Sequence, residues 1–220
     1  FATTIGAQTS IGSLPIVYYG TKEQKDKYLP GIASAALKAS YCLTEPTAGS
    51  DANSGKTKAI LNNEGTHYIM NGQKMWITNG GFADLFIVFA KIGDDKDLSA
   101  FIVEKAFGGI EIGAEEKKLG IKGSSTVQVF FSDCPIPKEN LLGERQGGFK
   151  MALNILNTGR IKLAAGTNGG SKFGITNAIV YATERKQFET PIIEFGAMQH
   201  KIGEMAARVF AVDAGIYRIG

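Results

Sequence analysis

The sequence has few of the residues that form metal sites and disulfides. It contains two cysteines, Cys42 and Cys134, and two histidines, His67 and His200. None of these has the short spacing of metal ligands, so no metal site is expected. Cys42 lies in a strand-like run and is interpreted as a small buried apolar residue, not as a nucleophile. We expect an intracellular, reducing compartment.

A strong charge of one sign and a long apolar run are also missing. The formal net charge is +3, from 24 basic and 21 acidic residues, without a basic cluster. Nucleic acid is therefore not an expected partner. No apolar run reaches the roughly 18 residues that span a bilayer. With 44% hydrophobic residues, the composition is that of an ordinary globular protein.

Neither end of the chain has the features of a natural terminus. It begins at Phe1 without a methionine or a targeting segment, and it stops at Gly220 within a periodic helical pattern. We therefore expect the chain to be part of a longer protein.

The hydrophobic period divides the chain into three parts and predicts an α+β fold. Residues 1–36 are predicted to be helical, and Thr21 with Gln24 forms a capping box. The helix that follows this box is predicted to stop at Pro30. Residues 37–146 have the period of two that is typical of strands, and residues 147–220 return to a helical period.

The middle part is predicted to be an antiparallel β-barrel domain or a sandwich, because many short strands follow one another without helices between them. Asn71-Gly72 is a strong hairpin signal between two of these strands. Pro135 and Pro137 are predicted to end the sheet. The predicted strands are Thr66–Met70, Gln73–Ile77, Leu85–Ala90, Leu98–Val103 and Thr126–Phe131.

The last part predicts the first helices of a bundle. Its final helix carries apolar residues at alternating steps of four and three, which is a heptad-like seam. Gly166, Gly170 and Gly174 lie one turn apart and predict a close contact between two helices. Thr167–Ser171 is not interpreted as a phosphate loop, because no apolar strand precedes it. The seam consists of Met198, Ile202, Met205, Val209, Val212, Ile216 and Ile219.

Two segments carry the chemistry. Tyr41–Asp51 is a strand end that turns at Pro46 and Gly49, with small residues that leave backbone N–H groups open to an anion. Gln73–Gly81 is predicted as a strand in which Trp76 and Thr78 share one face, opposite Met75 and Ile77. That face offers an aromatic wall and a donor to a planar ligand.

These segments resemble the signatures of the acyl-CoA dehydrogenase family, Y-C-x-T-E-P-x-A-G-S-D and W-I-[TS]-N-G. Tyr19–Pro30 is similar to the end of the family's N-terminal helical domain, Y-G-T-x-E-Q-K-x-x-Y-L-P. Ser34–Ala36 departs from the family's small-Gly-Glu, which leaves the turn there in question. Ile155–Arg160 looks most like the very-long-chain branch. The resemblance implies three parts: residues 1–36, 37–146 and 147–220.

The resemblance implies an α,β-dehydrogenation of acyl-CoA thioesters to trans-2-enoyl-CoA, of the fatty-acid β-oxidation type, with FAD as the cofactor. Such a reaction needs a base for the α-proton and donors on the thioester carbonyl. The implied partners are the acyl-CoA substrate, a second copy in a homodimer or homotetramer, and an electron-accepting flavoprotein. The implied localisation is the bacterial cytoplasm or the mitochondrial matrix.

The matched positions imply a set of cofactor contacts. Thr44 would donate toward the pyrimidine end of the flavin, Trp76 would cover one face of the ring, and Thr78 would donate to N5. Glu45 is interpreted as a structural residue of the turn, not as a catalytic carboxylate. The residues implied to bind FAD are Tyr41, Leu43, Thr44, Gly49, Ser50, Trp76, Ile77, Thr78, Arg185, Gln187, Phe188 and Phe195.

Further positions match substrate and interface residues of the family. Ser50, Asn157 and Arg160 are implied to lie beside the acyl-CoA. Arg185–Phe188 matches a segment that reaches a neighbouring subunit's FAD, where the planar guanidinium suits a diphosphate. Glu189 replaces a family glycine, which leaves the geometry of that turn in question.

The catalytic base is not among the matched residues. A minority of the family carries this base just before the arginine that Arg160 matches. In this chain that position is Gly159, which cannot accept a proton. We therefore expect a glutamate beyond Gly220, and we expect the 220 residues alone to be inactive and to self-associate. Two alternatives remain, an acyl-CoA oxidase and a non-catalytic relative with a binding or assembly role.

Overall fold

The first part of the chain is helical, as its sequence predicts. In the computed structural model, which describes residues 2–220, α1 spans Ala2–Gln8, α2 spans Leu14–Tyr19 and α3 spans Lys22–Ala33. Thr21 caps α3. Its Oγ1 accepts the Gln24 N–H at 3.2 Å, and its own N–H donates to Gln24 Oε1 at 3.0 Å. The predicted capping box is confirmed.

The prediction that Pro30 ends this helix is wrong. Pro30 lies inside α3, which continues to Ala33. Proline removes one helical N–H, but Tyr28 and Ile32 on either side of it are buried, at 2% and 5% exposure, and hold the last turn against the core. The turn that follows places Ala35 at φ +58°, so alanine adopts the left-handed conformation that glycine adopts more readily.

Eight strands form the sheet of the middle part, in the order β6-β7-β3-β2-β4-β5-β8, with β1 paired to β4. The α+β class is confirmed. Among the described strands no pairing joins β6 to β8, so a closed barrel is not confirmed. The strands are β1 Ala39–Cys42, β2 Lys58–Leu61, β3 His67–Thr78, β4 Leu85–Ile92, β5 Ser99–Glu104, β6 Ile110–Ile112, β7 Thr126–Pro137 and β8 Leu141–Leu142.

The sheet is mixed, so the prediction of antiparallel strands throughout is wrong. β1 and β2 both run parallel to β4: β1 pairs with Leu85–Val88, and β2 pairs with Lys91 and Ile92. The two short strands therefore follow one another along the same edge of β4. Residues 43–57 leave the sheet between them and return to it. This excursion, residues 43–57, carries most of the first signature segment.

β3 is one continuous strand of 12 residues, so the hairpin predicted at Asn71-Gly72 is wrong. Gly72 has φ +154°, and a Cβ there would lie 2.5 Å from Thr57 Oγ1. The Asn71 amide Nδ2 donates to Asp133 Oδ1 at 2.9 Å, and the Asp133 N–H donates to Asn71 Oδ1 at 2.9 Å. The pair spans a register shift between β3 and β7. Asn71 and Gly72 thus lie at a local irregularity in the pairing of β3 with β7, and not in a turn.

The two prolines do not end the sheet either. β7 continues through Pro135, the register partner of Ile69, and ends at Pro137; the sheet itself goes on with β8. β6 pairs only with Val129–Phe131. The Ser132 N–H donates to the Gly109 carbonyl at 2.9 Å, and beyond Ser132 this edge of β7 has no strand partner among the described residues, so a residue without an N–H is accommodated there.

Alternate residues of β4 face two hydrophobic cores. Phe86 and Val88 belong to the core enclosed by the strands of the sheet. Leu85, Ile87 and Phe89 belong to a second core that includes residues of α2, α3 and the first turns of α4, which spans Gly148–Glu184. Because both faces are covered, β4 reads as an uninterrupted apolar strand.

The chain divides into two units, with the boundary inside α4 between Leu156 and Asn157. The second unit contains the rest of α4, a small hairpin of β9 Lys186–Gln187 and β10 Thr190–Pro191, and α5 Gly196–Ile219. Within it, the Asn168 amide and the Lys172 ammonium both contact Asp213 Oδ1, at 2.9 and 2.7 Å. These contacts connect the two helices.

Two predictions about the second unit have different outcomes. The seam residues of α5 lie on a helix, as predicted, and none of them is buried; Val212 is 48% exposed and Ile219 72%. The close helix contact at Gly166, Gly170 and Gly174 is not formed. Apart from the helix's own backbone, no described atom lies within 4 Å of the position of a Cβ at any of the three.

Both cysteines are buried and reduced, Cys42 at 0% exposure. Burial raises the pKa of the Cys42 thiol to about 12 and that of Cys134 to about 11. The interpretation of Cys42 as a buried apolar residue is confirmed. Residues 2–220 hold no group of three or more His, Cys, Asp or Glu side chains suited to a metal ion. Among the helices described, none combines the length and apolar character that a bilayer crossing requires.

The left-handed alanine after α3 gives a test of the fold. Replacing it, Ala35→Gly, should stabilise the protein by about 1 kcal/mol, because a left-handed Cβ costs roughly that much. Ala36→Gly, in the same exposed turn but without a positive φ, should not stabilise it. Urea denaturation of both variants measures the difference, and an unchanged or lowered midpoint for Ala35→Gly would contradict the prediction.

Candidate functional site

Three hydrogen bonds join β1 and the start of the excursion to the end of β3. The Met75 N–H donates to the Thr44 carbonyl at 2.9 Å. The Ser40 hydroxyl donates to the Thr78 carbonyl at 3.0 Å, and the Lys74 ammonium donates to the Leu43 carbonyl at 3.2 Å. The end of β1 and the end of β3 are therefore neighbours, and both segments contribute to one site.

A buried ion pair lies beneath this contact. The Lys74 side chain is 0% exposed and that of Glu45 is 4% exposed, with Nζ and Oε1 2.7 Å apart. The ammonium also donates to the Phe89 carbonyl at 2.6 Å. The Glu45 carboxylate accepts the N–H groups of Lys56 and Thr57, at 2.6 and 3.1 Å. With the bond from Lys74 to the Leu43 carbonyl, these contacts satisfy both charges and agree with the structural role interpreted for Glu45 from the sequence.

The pair determines the protonation state of Glu45. Burial alone would raise the pKa of its carboxyl group. The Lys74 charge and the hydrogen bonds from Lys74, Thr57 and Lys56 outweigh burial and hold the pKa below its ordinary value. Glu45 is therefore ionised near neutral pH. Burial lowers the pKa of Lys74, and the charge of Glu45 opposes that shift.

A β-bulge turns Trp76 outward. Lys74 pairs with Val129 and Ile77 pairs with Val127, so β3 carries one extra residue at this point. Trp76 takes φ +58° and is 61% exposed. The predicted alternation, with Met75 and Ile77 on one face, is wrong here, because the bulge places Lys74 and Ile77 inside. Bulges commonly re-aim a side chain next to a functional site.

Polar groups around the bulge are free to meet a ligand. Thr44 and Thr78 are half-buried, and within residues 2–220 neither hydroxyl nor the Trp76 indole N–H has a hydrogen-bond partner. Gly49 and Ser50 are exposed, and a Cβ at Gly49 would meet nothing within 4 Å. The site thus combines an exposed aromatic ring, two hydroxyl donors and an open loop.

Three of the predicted cofactor residues support the site from within the core. Tyr41 is 9% exposed, its hydroxyl donates to the Ala152 carbonyl at 3.4 Å, and burial raises its pKa. Leu43 and Ile77 are also buried, at 9% and 2% exposure. The side chains of these residues pack in the two cores, so any contact they make with a ligand runs through the backbone.

The remaining predicted residues lie in the second unit. Arg160 and Asn157 are exposed, and Arg160 Nη1 donates to Asn157 Oδ1 at 2.7 Å. The pair orients the guanidinium along one face of α4. The guanidinium group of Arg160 has further N–H donors that can bind an anionic group.

The hairpin of β9 and β10 presents the other residues of that unit. Arg185 and Gln187 are exposed, and Phe188 is 91% exposed at φ +52°. Its ring meets that of Phe195 edge to face, with centroids 6.5 Å apart. Glu189 follows at φ +61°. The tight turn is therefore kept although glutamate replaces the glycine of the family.

Lys74 was not identified from the sequence, although a signal for it exists. Tyr68 and Met70 occupy alternate positions of β3 and are buried, and the same alternation places Lys74 inside. A lysine at an interior strand position requires a buried carboxylate partner. Asn79 was also missed. It is 1% exposed at φ +65°, and its Nδ2 donates to the Thr4 carbonyl at 3.1 Å.

Comparison with known proteins gives one consistent result. Three family models match the chain in order: Acyl-CoA dehydrogenase, N-terminal domain, at residues 1–36; the middle domain at 40–134; and the C-terminal domain at 146–220. A "Probable acyl-CoA dehydrogenase" of Bacillus subtilis is 55% identical over 99% of the chain and 36% of that protein. The human "Very long-chain specific acyl-CoA dehydrogenase, mitochondrial" is 46% identical over 98% of the chain and 34% of that protein.

A solved structure shows the same fold. An acyl-CoA dehydrogenase from Bacillus anthracis, complexed with FAD, superposes with a TM-score of 0.94 at 52% identity. The match covers 99% of this chain and 38% of that one. The chain thus spans about a third of the length of the curated relatives above.

The ion pair predicts how stability depends on pH. The pKa of Glu45 is lowered in the folded state, so its contribution is present above the ordinary value of 4.5 and is lost as the pH falls through the folded pKa. Glu45→Gln should cost about 3–5 kcal/mol at pH 7, and this difference should shrink below about pH 4.5. Denaturant unfolding between pH 7 and pH 3 measures it.

The matched control is Glu64→Gln, an exposed turn residue, which should unfold like the wild type across the range. A difference between wild type and Glu45→Gln that is the same at both ends of the pH range would contradict the assignment of an ionised Glu45.

Proposed function

The chain belongs to the acyl-CoA dehydrogenase family, and on that premise we propose that the whole protein catalyses the FAD-dependent α,β-dehydrogenation of acyl-CoA thioesters to trans-2-enoyl-CoA. The observation that supports this most directly is the exposed Trp76 on its bulge, beside the free hydroxyls of Thr44 and Thr78. An aromatic face with adjacent donors suits a planar, polar-edged ring. The proposal extends to fatty-acid β-oxidation as the setting of this reaction.

The residues of the first unit fit FAD. Trp76 would cover one face of the isoalloxazine, Thr78 would donate to N5, and Thr44 would donate at the pyrimidine end. Gly49 and Ser50 lie on an open loop whose N–H groups suit a diphosphate. When bound, FAD supplies the acceptor for the hydride from the β-carbon. The protein's share is then to position the ring and to keep the two hydroxyls available.

The second unit offers the groups for the substrate and for a neighbouring copy. We propose that Arg160, held by Asn157, and Ser50 of the first unit contact the acyl-CoA. The exposed Arg185, Gln187 and Phe188 suit a diphosphate and an adenine that belong to another subunit. This supports a homodimer or homotetramer as the working form. The α-proton base is proposed to be a glutamate beyond Gly220, because Gly159 at the alternative position has no side chain.

The same premise extends to the organisation and setting of the protein. We propose that residues 1–36, 37–146 and 147–220 belong to its helical, β and helical domains. The proposed electron acceptor is a second flavoprotein. Relatives of bacterial and mitochondrial origin support a place in the bacterial cytoplasm or the mitochondrial matrix.

The whole protein provides the direct test. The purified full-length protein should carry the absorption spectrum of a bound flavin, and an acyl-CoA should bleach it. Turnover should proceed with an artificial dye acceptor and yield little peroxide. Peroxide in step with product would favour the oxidase, and a colourless protein that takes up no FAD would overturn the cofactor assignment.

Thr78 is the sharper test of the site. Thr78→Val keeps the β-branched shape and removes the hydroxyl. It should slow flavin reduction in a single turnover by about tenfold to a hundredfold, since one hydrogen bond to a site of developing charge contributes about 1–3 kcal/mol.

Thr66→Val, just before the other end of β3, serves as the control and should react like the wild type. If Thr78→Val is reduced at the wild-type rate, Thr78 has no part in the mechanism.

A further inference from the structure

Two adjacent carbonyls of the excursion are held by two adjacent residues of β3. The Leu43 carbonyl accepts from the Lys74 ammonium at 3.2 Å, and the Thr44 carbonyl accepts from the Met75 N–H at 2.9 Å. The backbone around Thr44 is thereby fixed to Lys74 and to Met75, at the start of the bulge. The position of the Thr44 hydroxyl relative to Trp76 depends on these two bonds.

The ion pair also closes the excursion at its base. Glu45 lies near its start and accepts the N–H groups of Lys56 and Thr57 at its end. A Cβ at Gly55 would lie 2.9 Å from Glu45 Oε1, so the returning backbone packs directly against this carboxylate. The exposed Gly49 and Ser50 therefore stand on a loop whose two ends are fastened to a single side chain.

Lys74 is the last residue in register before the bulge. Its ammonium donates to the Phe89 carbonyl of β4 at 2.6 Å, and its side chain is wholly buried. On the other side of Trp76, Ile77 is buried at 2% exposure. The left-handed backbone of Trp76 is thus held between two buried residues, Lys74 and Ile77. Such strain persists only where the surrounding structure over-determines it.

We propose that the Lys74–Glu45 pair is a positioning unit of the cofactor site, which sets the spacing between the Thr44 segment and the Trp76 bulge. The inference rests on the proposed function for its ligand. Neither residue is assigned a catalytic role, because both are buried and their charged groups bind each other and the backbone. A pair that served stability alone would leave the site unchanged in any variant that folds.

The experiment uses the full-length protein with FAD and four variants. Glu45→Gln removes one charge, and Lys74→Met/Glu45→Gln removes both, so that no unpaired charge stays buried. Ala35→Gly is added to Glu45→Gln to return part of the lost stability without a change at the site. Lys58→Met is the control, because it breaks a pair with Asp94 that is 3.1 Å long and exposed, at the start of β2.

The readouts are the FAD dissociation constant, the visible spectrum of the bound flavin and the single-turnover reduction rate. Glu45→Gln and the double variant should each weaken FAD binding and slow reduction by about tenfold to a hundredfold. Ala35→Gly should raise the melting temperature of Glu45→Gln part of the way back to that of the wild type and leave these values unchanged. Lys58→Met should match the wild type. Wild-type values in the double variant, or their recovery with Ala35→Gly, would overturn the proposal.

Trp76 gives a readout that does not need the cofactor. It is the one tryptophan of the 220 residues, and subtracting a Trp76→Phe spectrum isolates its emission in the whole protein. Without FAD, Glu45→Gln should change acrylamide quenching of Trp76 at least twofold, while Lys58→Met should not. Unchanged quenching would count against the positioning unit. If the wild type binds no FAD, and Glu45→Gln still changes the quenching of Trp76, only the proposed function is refuted and the positioning role is supported.

Discussion

The buried ion pair of Lys74 and Glu45 holds β3, β4 and the excursion of the first unit together. Removing such charges from water costs several kcal/mol per ion unless every donor and acceptor is satisfied. Here Lys74 donates to two carbonyls besides Glu45, and Glu45 accepts two backbone N–H groups. Another arrangement of β3, β4 and the excursion would leave one of these buried charges without its partners.

This arrangement explains why the sheet is mixed. β4 is buried on both faces between two cores and leaves one edge to β1 and β2 in succession. The chain can leave that edge for residues 43–57 because Glu45 closes the gap at its base. The excursion is thus displayed by a rigid scaffold, which is the arrangement that loops with a functional role usually have.

Left-handed backbone in residues other than glycine has two different meanings in this chain. At Trp76 it belongs to a bulge that exposes an aromatic ring beside unpaired hydroxyls, at the proposed cofactor site. At Ala35 and Glu189 it occurs in turns where the family has glycine, and the structure keeps the turn although the residue has changed. The same torsion therefore accompanies the proposed site in one place and a tolerated substitution in the other.

Features that depend on neighbouring residues can be predicted from the sequence: the capping box of Thr21, the apolar strands around β4 and the two signature segments. Features that depend on distant partners are set by the tertiary fold. Asn71-Gly72 is no turn because Thr57 packs against it, Pro135 is tolerated because its strand edge is free, and Lys74 is buried because Glu45 returns to meet it. A local pattern carries propensity and period, whereas burial and pairing are set by residues far apart in the chain.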